Sequence, residues 1–359
     1  MSSDKDSAGW PPMLEVPMAD TLAPHSAPAS VTPPGTLCEP SGDSDAIRTA
    51  KEKVSRYYKA ATEDYLKYYE ADWHHHMHYG FDRDLPKGGN PTEQMVRYVA
   101  KVAGLPDRKA ADASGRPGPK VLDAGCGVGG SAIWLARQAG CRSVGITLVE
   151  PQARLAMRYA ARHGVRPQTP PQPSGMARFA VNDFTRPAFK PGSFDVVWAL
   201  ESFDHAPDKA AWVAAMARIL KPGGRLAIAD GFRAERRAAG EAGAEAAERK
   251  RLEREERAYK AFLAGWAVPH LCTTAEMRRY ATDAGLELVH DEDISADVMP
   301  HARAIFRFGL LFIPVRWVLH KMRLTSPEKL GNAVATYHQY RTFKRGLWTY
   351  RVYCFRKPD

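Results

Sequence analysis

The chain has 359 residues, 44% of them hydrophobic, a formal charge of +10 and a pI near 9.3. That is enough apolar material for a sizeable core, and it excludes a wholly disordered chain. The basic balance favours anionic partners without choosing among phosphates, membrane surfaces and nucleic acid, and basic surface helices alone give the same number. Five scattered cysteines with no C-x-x-C spacing exclude a disulfide framework and a cysteine-built zinc site, and make a reducing compartment the default.

In chain order, residues 1–45 are rich in Pro, Ser and Ala, as in "APHSAPASVTPPGT", and read as a disordered arm. No apolar signal core is found there, and the acids in it do not suit a transit peptide. Residues 46–105 read as an N-terminal helical segment. Val54, Tyr58, Ala61, Tyr65 and Tyr68 recur at helical spacing, and Asn90 with Pro91 opens a helix over Thr92–Leu105. "PDRKAADASGRPGP" reads as a loop.

Strands then alternate with helices. "KVLDA", "RSVGITL", "ARFAVND", "FDVVWAL" and "GGRLAIAD" are strand-like, and helices of ten or more residues separate most of them. This alternation predicts an α/β domain with a parallel sheet covered on both faces. "RPQTPPQPSG" is a Pro-rich surface insertion. Residues 233–264 carry Ala, Glu and Arg in helical texture, as a solvated lid helix would. "ELVHDEDI" and "LWTYRVYCF" are late strands. "IFRFGLLFIPVRWVL", residues 305–319, is apolar but interrupted by Arg307, Pro314 and Arg316, and falls short of the ~20 apolar residues of a membrane span. It suits a lid over a greasy pocket, a helix at a membrane interface, or plain core packing.

The sharpest motif is "VLDAGCGVGG", residues 121–130, where a buried strand runs into four glycines and then a helix. Glycines let the backbone turn tightly and come close to a ligand. A G-x-G-x-x-G pattern alone would suggest a dinucleotide. Here Asp123 precedes the first glycine and the loop has no basic phosphate clamp, which suits a cationic ligand with an amino-acid tail better than NAD.

With these features the chain resembles a class I S-adenosylmethionine-dependent methyltransferase, and within that class the sterol C24- and tocopherol-methyltransferases. "VGITLVEPQ" is similar to their second-strand segment, "FAVNDFTRPAF" to their adenine segment, and "E-x-x-x-H-A-P-D-K" at Glu201–Lys209 to their fourth-strand segment. "KPGG", "GWAVPHLCTTAEM" and the tail "YRTFKRGLWTYRVYCFRKP" continue the likeness, which covers nearly everything outside the arm.

The resemblance implies a Rossmann-like fold: a mostly parallel seven-stranded sheet with helices on both faces, plus N-terminal and C-terminal lids. Its implied parts are a helical lid and acceptor segment (46–105), a cofactor-binding core (106–232), a helical lid insertion (233–270) and core completion over 271–359 with an acceptor lid at 295–345. It implies S-adenosyl-L-methionine as cofactor, held by Tyr57, Asp123, Gly125, Gly127, Thr147, Gln152, Asp183, Phe184 and Glu201. Thr147 stands where many relatives have a ribose-binding acid. Glu201 and His205 are the implied catalytic residues, and Tyr65, Trp73, His78, Tyr79, Phe203 and Tyr340 the implied acceptor contacts.

The implied reaction is methylation of a lipophilic isoprenoid-type acceptor, a sterol, a prenylated quinol or tocopherol, or a terpenoid, at carbon. Attack by an alkene or aromatic ring leaves a cation that must lose a proton, so Glu201 suits a base or cation stabiliser and His205 a relay. The alternatives are an O- or N-methyltransferase of a hydrophobic metabolite, or a prenyl-diphosphate C-methyltransferase served by Arg303, Arg307, Arg341, Lys344 and Arg345 with Mg²⁺. A nucleic-acid methyltransferase is more distant, since no basic-aromatic recognition module is apparent. A non-catalytic binder on the same fold is a further class.

The run "HHHMH" at 74–78 suggests metal, but consecutive histidines point in different directions and no partner cluster is evident, so no metal is expected. A small lipophilic substrate and no nucleic acid are the expected partners. The expected location is cytoplasmic, with contact at a membrane surface as an option. Nothing in the sequence fixes the oligomeric state.

Overall fold

The computed structural model describes residues 45–68, 75–166, 175–235 and 246–359. The Pro-rich arm, Trp73, His74, most of the 166–175 insertion and the first part of the 233–270 insertion lie outside them, as does the side chain of Tyr65.

The described chain opens with helix α1 (Asp45–Tyr68). Helix α2 (Pro91–Val102) starts where Asn90 caps it, its side chain accepting from the N–H of Thr92 at 2.8 Å and of Glu93 at 3.0 Å, with Pro91 in the first turn. Met95, Val96 and Val99 form its buried stripe. The expected loop that follows contains a short helix, α3 (Arg108–Ala113), capped by Asp107. Its polar, Gly- and Pro-flanked sequence hides it, because one side-chain cap and a single buried alanine define it.

The core then alternates: β1 (Lys120–Ala124), α4 (Gly130–Ala139), β2 (Arg142–Thr147), α5 (Glu150–Arg162), β3 (Met176–Val181), β4 (Phe194–Leu200), α6 (Lys209–Ile219) and β5 (Leu220–Arg233). Helices α7 (Ala246–Gly265) and α8 (Thr274–Asp283), strand β6 (Glu287–Asp293), helices α9 (Ser295–Lys321) and α10 (Pro327–Lys344) and strand β7 (Trp348–Arg356) complete it.

The strands form one seven-stranded sheet in the order β3-β2-β1-β4-β5-β7-β6. The first five are parallel, and β7 lies antiparallel between β5 and β6. This is the mostly parallel sheet the alternation predicts. "KPGG" is not a plain turn. It is absorbed into β5, where the register with β4 jumps between Phe194 and Val196.

Both sheet faces are buried, so the central strands read as continuous apolar runs. One face, which includes Trp348 of β7, packs against α2, α4, α7 and α9 through Met95, Leu135, Phe262 and Val298. The other packs against α6 and α8 through Trp212, Met216 and Met277. Truncating a fully buried residue such as Trp212 to Ala costs about 3–5 kcal/mol.

One reading changes here. The solvated lid helix is α7, and Tyr259, Phe262 and Leu263 bury one face of it in the core, so its charge marks only the outer face. The apolar run broken by Arg307, Pro314 and Arg316 lies in one helix, as its lid and interface readings expect. α9 runs unbroken through Pro300 and Pro314. No helix among the described residues is long and apolar enough to cross a membrane.

Candidate active site

The parallel strands end at one edge of the sheet, where loops diverge and leave a crevice, the usual ligand site of such sheets. β1 ends at Asp123 and Ala124 and enters the glycine loop. Gly125, Gly127 and Gly129 have φ of 99°, 51° and 92°, a left-handed conformation that side chains resist. Gly130 is needed for space: a Cβ there would collide with the carbonyl of His75. The histidine run therefore lies directly on the glycine loop. His75 adopts φ 58°, stacks on Tyr159 at 3.8 Å between centroids, and its Nε2 meets Nε2 of His163 at 3.0 Å.

Asp123 is buried, and burial pushes its carboxyl up to about 7. Its Oδ2 has no hydrogen-bond partner among the described residues and lines the crevice. An orphaned buried oxygen of this kind calls for a ligand donor or cation. At the end of β2, the hydroxyl of Thr147 donates to Oε1 of Gln152 at 2.9 Å, and both side chains line the crevice. The pair anticipated for the ribose is thus one hydrogen-bonded unit.

Phe184 lines the same space. Asp183 does not. Its Oδ1 accepts from the backbone and hydroxyl of Thr185, and its Oδ2 pairs with Lys51 at 2.5 Å. Tyr57 is buried behind the crevice with its ring edge-on to Tyr58, and it is Tyr58 that reaches the lining.

β4 delivers the catalytic candidates. Glu201 follows the strand with φ 50°, a left-handed conformation for a non-glycine residue that costs of order 1 kcal/mol and is held by its bonds. Its N–H donates to the carbonyl of Ala229 at 2.9 Å. Oε1 of Glu201 accepts from the N–H of Tyr79 at 2.6 Å and from the hydroxyl of Tyr350 at 2.7 Å. Oε2 carries no hydrogen bond among the described residues. Burial pushes this carboxyl up to about 8, with Asp204 adding to the effect against the two donors.

Beneath it lies Asp230, buried and driven well above the carboxylate range by burial and by Asp204 and Glu201. Asp230 accepts from the N–H groups of Asp204 and Gly231. The buried ammonium of Lys209 donates to the carbonyls of Asp204 and Ala206 at 2.7 Å each, which pins the Glu201–Ala206 loop.

His205 lines the crevice but makes no hydrogen bond to Glu201. The hydroxyl of Tyr58 meets its Nε2 at 2.7 Å. A direct Glu201–His205 relay is therefore absent, and His205 belongs instead to a unit with Tyr58. His78 is buried at the crevice, and burial lowers it to about 4. The neutral ring donates from Nδ1 to the carbonyl of Tyr79 at 2.9 Å, which leaves Nε2 as a buried lone pair with no partner.

Tyr79 packs edge-on against Tyr350 and reaches the site through its backbone. Phe203 does not reach the crevice. It is 1% exposed, among Trp212 and Phe232 in the second core. Tyr340 lies outside the lining and stacks on Phe306 between α10 and α9 at 4.4 Å. No group of three metal-ligating side chains occurs among the described residues.

The residues missed from sequence are Tyr58, Asp230 and Tyr350. Tyr58 stood in the recognised stripe beside Tyr57. Tyr350 had no local signal, because its place follows from its pairing with Gly231 across β5 and β7.

Residues 122–228 match the family described as a methyltransferase domain. The match marks a methyltransferase domain within the core, and the sheet has the class I Rossmann-like methyltransferase fold. The chain is similar to curated tocopherol and sterol methyltransferases. It is 27% identical to a probable chloroplastic tocopherol O-methyltransferase of Oryza sativa subsp. japonica, over 81% of this chain and 75% of that one. It is 31% identical to the sterol 24-C-methyltransferase of Saccharomyces cerevisiae, over 52% of this chain and 45% of that one. For several curated relatives the match spans about half of their length. Among solved structures, the geranyl diphosphate C-methyltransferase of Streptomyces coelicolor A3(2), in complex with Mg²⁺, geranyl diphosphate and S-adenosyl-L-homocysteine, superposes with a TM-score of 0.59. That pair shares 20% identity over 86% of this chain and 98% of the other.

Proposed function

We propose that the protein methylates a lipophilic isoprenoid-type acceptor at carbon, with Glu201 as the base. The carrying observation is Glu201 itself: a half-buried carboxyl at the crevice with one oxygen fixed by two donors and the other without a hydrogen bond among the described residues. When bound, S-adenosylmethionine supplies an electrophilic methyl group on a sulfonium.

The residues present fit that group. Unpartnered Asp123 Oδ2 suits its cationic tail, the Thr147–Gln152 unit its ribose hydroxyls, and Phe184 its base. Positioning supplies most of the acceleration in an in-line transfer of this kind. Attack by an alkene or arene leaves a cation on the acceptor. Glu201 stabilises that charge, and its Oε2 accepts the proton the cation sheds.

At neutral pH the raised carboxyl holds a proton in the empty crevice. A positive charge beside it favours the carboxylate, so the base is generated only when the site is loaded. Tyr350 and Tyr79 hold Oε1 throughout and leave Oε2 to act.

The acceptor is drawn from the prenylated quinols, tocopherols, sterols and terpenoids. A diphosphate is disfavoured, since none of Arg303, Arg307, Arg341, Lys344 and Arg345 lines the crevice. Arg345 instead lines a separate concavity with Arg251 and Arg254. Cys126, Cys141, Cys272 and Cys354 are buried free thiols, which is compatible with a reducing, cytoplasmic setting as part of this reading. Contact with a membrane, where such acceptors reside, belongs to the same reading.

The test is incubation with methyl-labelled S-adenosylmethionine and a panel of these lipids, followed by mass spectrometry. Label at an acceptor carbon is expected. Label only at oxygen or nitrogen would turn the reading to an O- or N-methyltransferase of a hydrophobic metabolite.

A further inference from the structure

Among the described residues, most of the exposed large apolar side chains fall between 310 and 324. They are the second half of α9 and the turn after it. Leu311, Val315, Val318 and Met322 are 72%, 53%, 48% and 61% exposed. Their spacing of four, three and four places them on one face of the helix. Leu324, 66% exposed, follows the stripe in the turn, and Trp317, 54% exposed, stands on another side of the same helix. A contiguous apolar surface of this kind marks an interaction site more often than chance exposure.

Charge identifies the partner. No acidic residue occurs between Asp297 and Glu328. Exposed Arg303 and Arg307 precede the stripe, and exposed Lys321 and Arg323 follow it. The Lys321 ammonium lies over the Trp317 ring at 5.6 Å. An apolar stripe framed by cations and an aromatic matches a bilayer interface, where the stripe enters the acyl boundary and the cations meet anionic headgroups. A second protein copy would bring the same positive charge to itself.

The other end of α9 belongs to the active site. Val298 and Ala302 are in the core, and His301 Nδ1 accepts from the N–H of Gly80 at 2.8 Å beside the Tyr79 ring. The N–H of Tyr79 holds Glu201. One helix thus runs from the catalytic carboxyl to the patch, over roughly 15–30 Å at 1.5 Å per residue.

We infer that the Leu311–Leu324 surface docks the enzyme on an anionic bilayer, from which its acceptor is drawn. The second clause rests on the lipophilic-acceptor reading; the docking does not.

The experiment is sedimentation of the full chain with phosphatidylcholine vesicles, with and without phosphatidylserine. Binding to the phosphatidylserine vesicles is expected, and added salt weakens it. L311D/V318D abolishes it, and R303E/R307E lowers it by about fivefold or more per residue. Both variants keep cofactor binding and the wild-type melting temperature. No binding by the wild type, or L311D/V318D binding like the wild type, overturns the inference. So does a wild-type dimer in ultracentrifugation that L311D/V318D makes monomeric with vesicle binding unchanged. Since vesicle binding requires no turnover, failure of the acceptor assay leaves this result readable. Should L311D/V318D not fold, R303E/R307E and the salt dependence still decide.

Discussion

Tyr350 and Glu201 lie 149 residues apart in sequence and 2.7 Å apart at their oxygens. The first is near the start of β7 and the second just past the end of β4, and β5 stands between the two strands. Because β7 is antiparallel, its early residues lie at the edge where the parallel strands end, so the hydroxyl of Tyr350 arrives beside Glu201. The two residues should separate kinetically. Glu201→Gln keeps the shape and removes the proposed base, so on that proposal kcat for carbon methylation should fall about 100- to 10,000-fold while cofactor affinity stays within a few fold. Tyr350→Phe removes one donor to Oε1, and its loss should be nearer tenfold. An E201Q enzyme with near wild-type turnover would mean that no proton is removed by this carboxyl, as in oxygen or nitrogen methylation.

The same carboxyl ties stability to pH. Its value is raised from 4.5 to about 8, and Asp123 is raised from 3.8 to about 7, both by burial. A group with a raised folded-state value binds more protons folded than unfolded. Its stabilising share is fully present below the unfolded value and is lost as pH rises through the folded value. The share of the melting temperature due to Glu201 and Asp123 should therefore fall between about pH 5 and 8, while His78 and His301, lowered by burial to about 4, contribute the opposite slope below about pH 6.5. E201Q should flatten that slope in part and leave the share due to Asp123. An E201Q protein with the wild-type slope of melting temperature between about pH 6.5 and 8 would contradict a proton-holding Glu201.

How far the site was legible turns on which contacts are local. The glycine loop, Asp123 and Glu201 were readable because strand, turn and carboxylate are contiguous, and each carries its constraint in its own residues. Thr147 and Gln152 were readable for the same reason, five residues apart across one turn. Tyr350 was not, because a strand's alternation fixes its two faces but not the neighbour it pairs with. Phe203 was misplaced because an aromatic beside a catalytic loop has the same local pattern whether it faces core or crevice. Pro314 breaks the apolar run in sequence without ending the helix: a helix-interior proline loses one hydrogen bond, and α9 tolerates that within its long frame. The seven strands themselves were largely legible, since burial on both faces leaves continuous apolar runs between polar turns.

Helix α1 closes over residues assigned to chemistry, one contact at a time. Lys51 pairs with Asp183, Tyr58 with His205, and Gln152 Nε2 donates to the hydroxyl of Thr62 at 3.2 Å. A cofactor entering the crevice must pass this helix, so weakening its contacts should speed exchange. Lys51→Met and Thr62→Val together should raise the cofactor dissociation rate about 5- to 30-fold, because part-buried polar contacts are each worth about 0.5–1 kcal/mol. Stopped-flow displacement of S-adenosyl-L-homocysteine measures this directly. Dissociation at the wild-type rate would mean that α1 does not gate the site.

Gly130 offers the cleanest separation of space from backbone strain. It has no positive φ, so alanine there is permitted by the backbone, yet its Cβ would collide with the carbonyl of His75. Gly88 is the opposite case, with φ 77° and nothing within 4 Å of an added Cβ. Gly88→Ala should therefore cost only the left-handed strain, about 1 kcal/mol in denaturant unfolding, with cofactor binding unchanged. Gly130→Ala should displace the His75–His78 segment from the glycine loop and shift the Tyr79 N–H away from Glu201. Cofactor affinity should fall by tenfold or more, in line with the ~1–3 kcal/mol typical of overpacking a close-packed contact. Carbon methylation should fall further than affinity, because the donor to Oε1 moves as well. Isothermal titration with S-adenosyl-L-homocysteine and single-turnover methylation read the two effects separately. Equal losses in both would place the His75–His78 segment at the cofactor alone, with no share in holding the base.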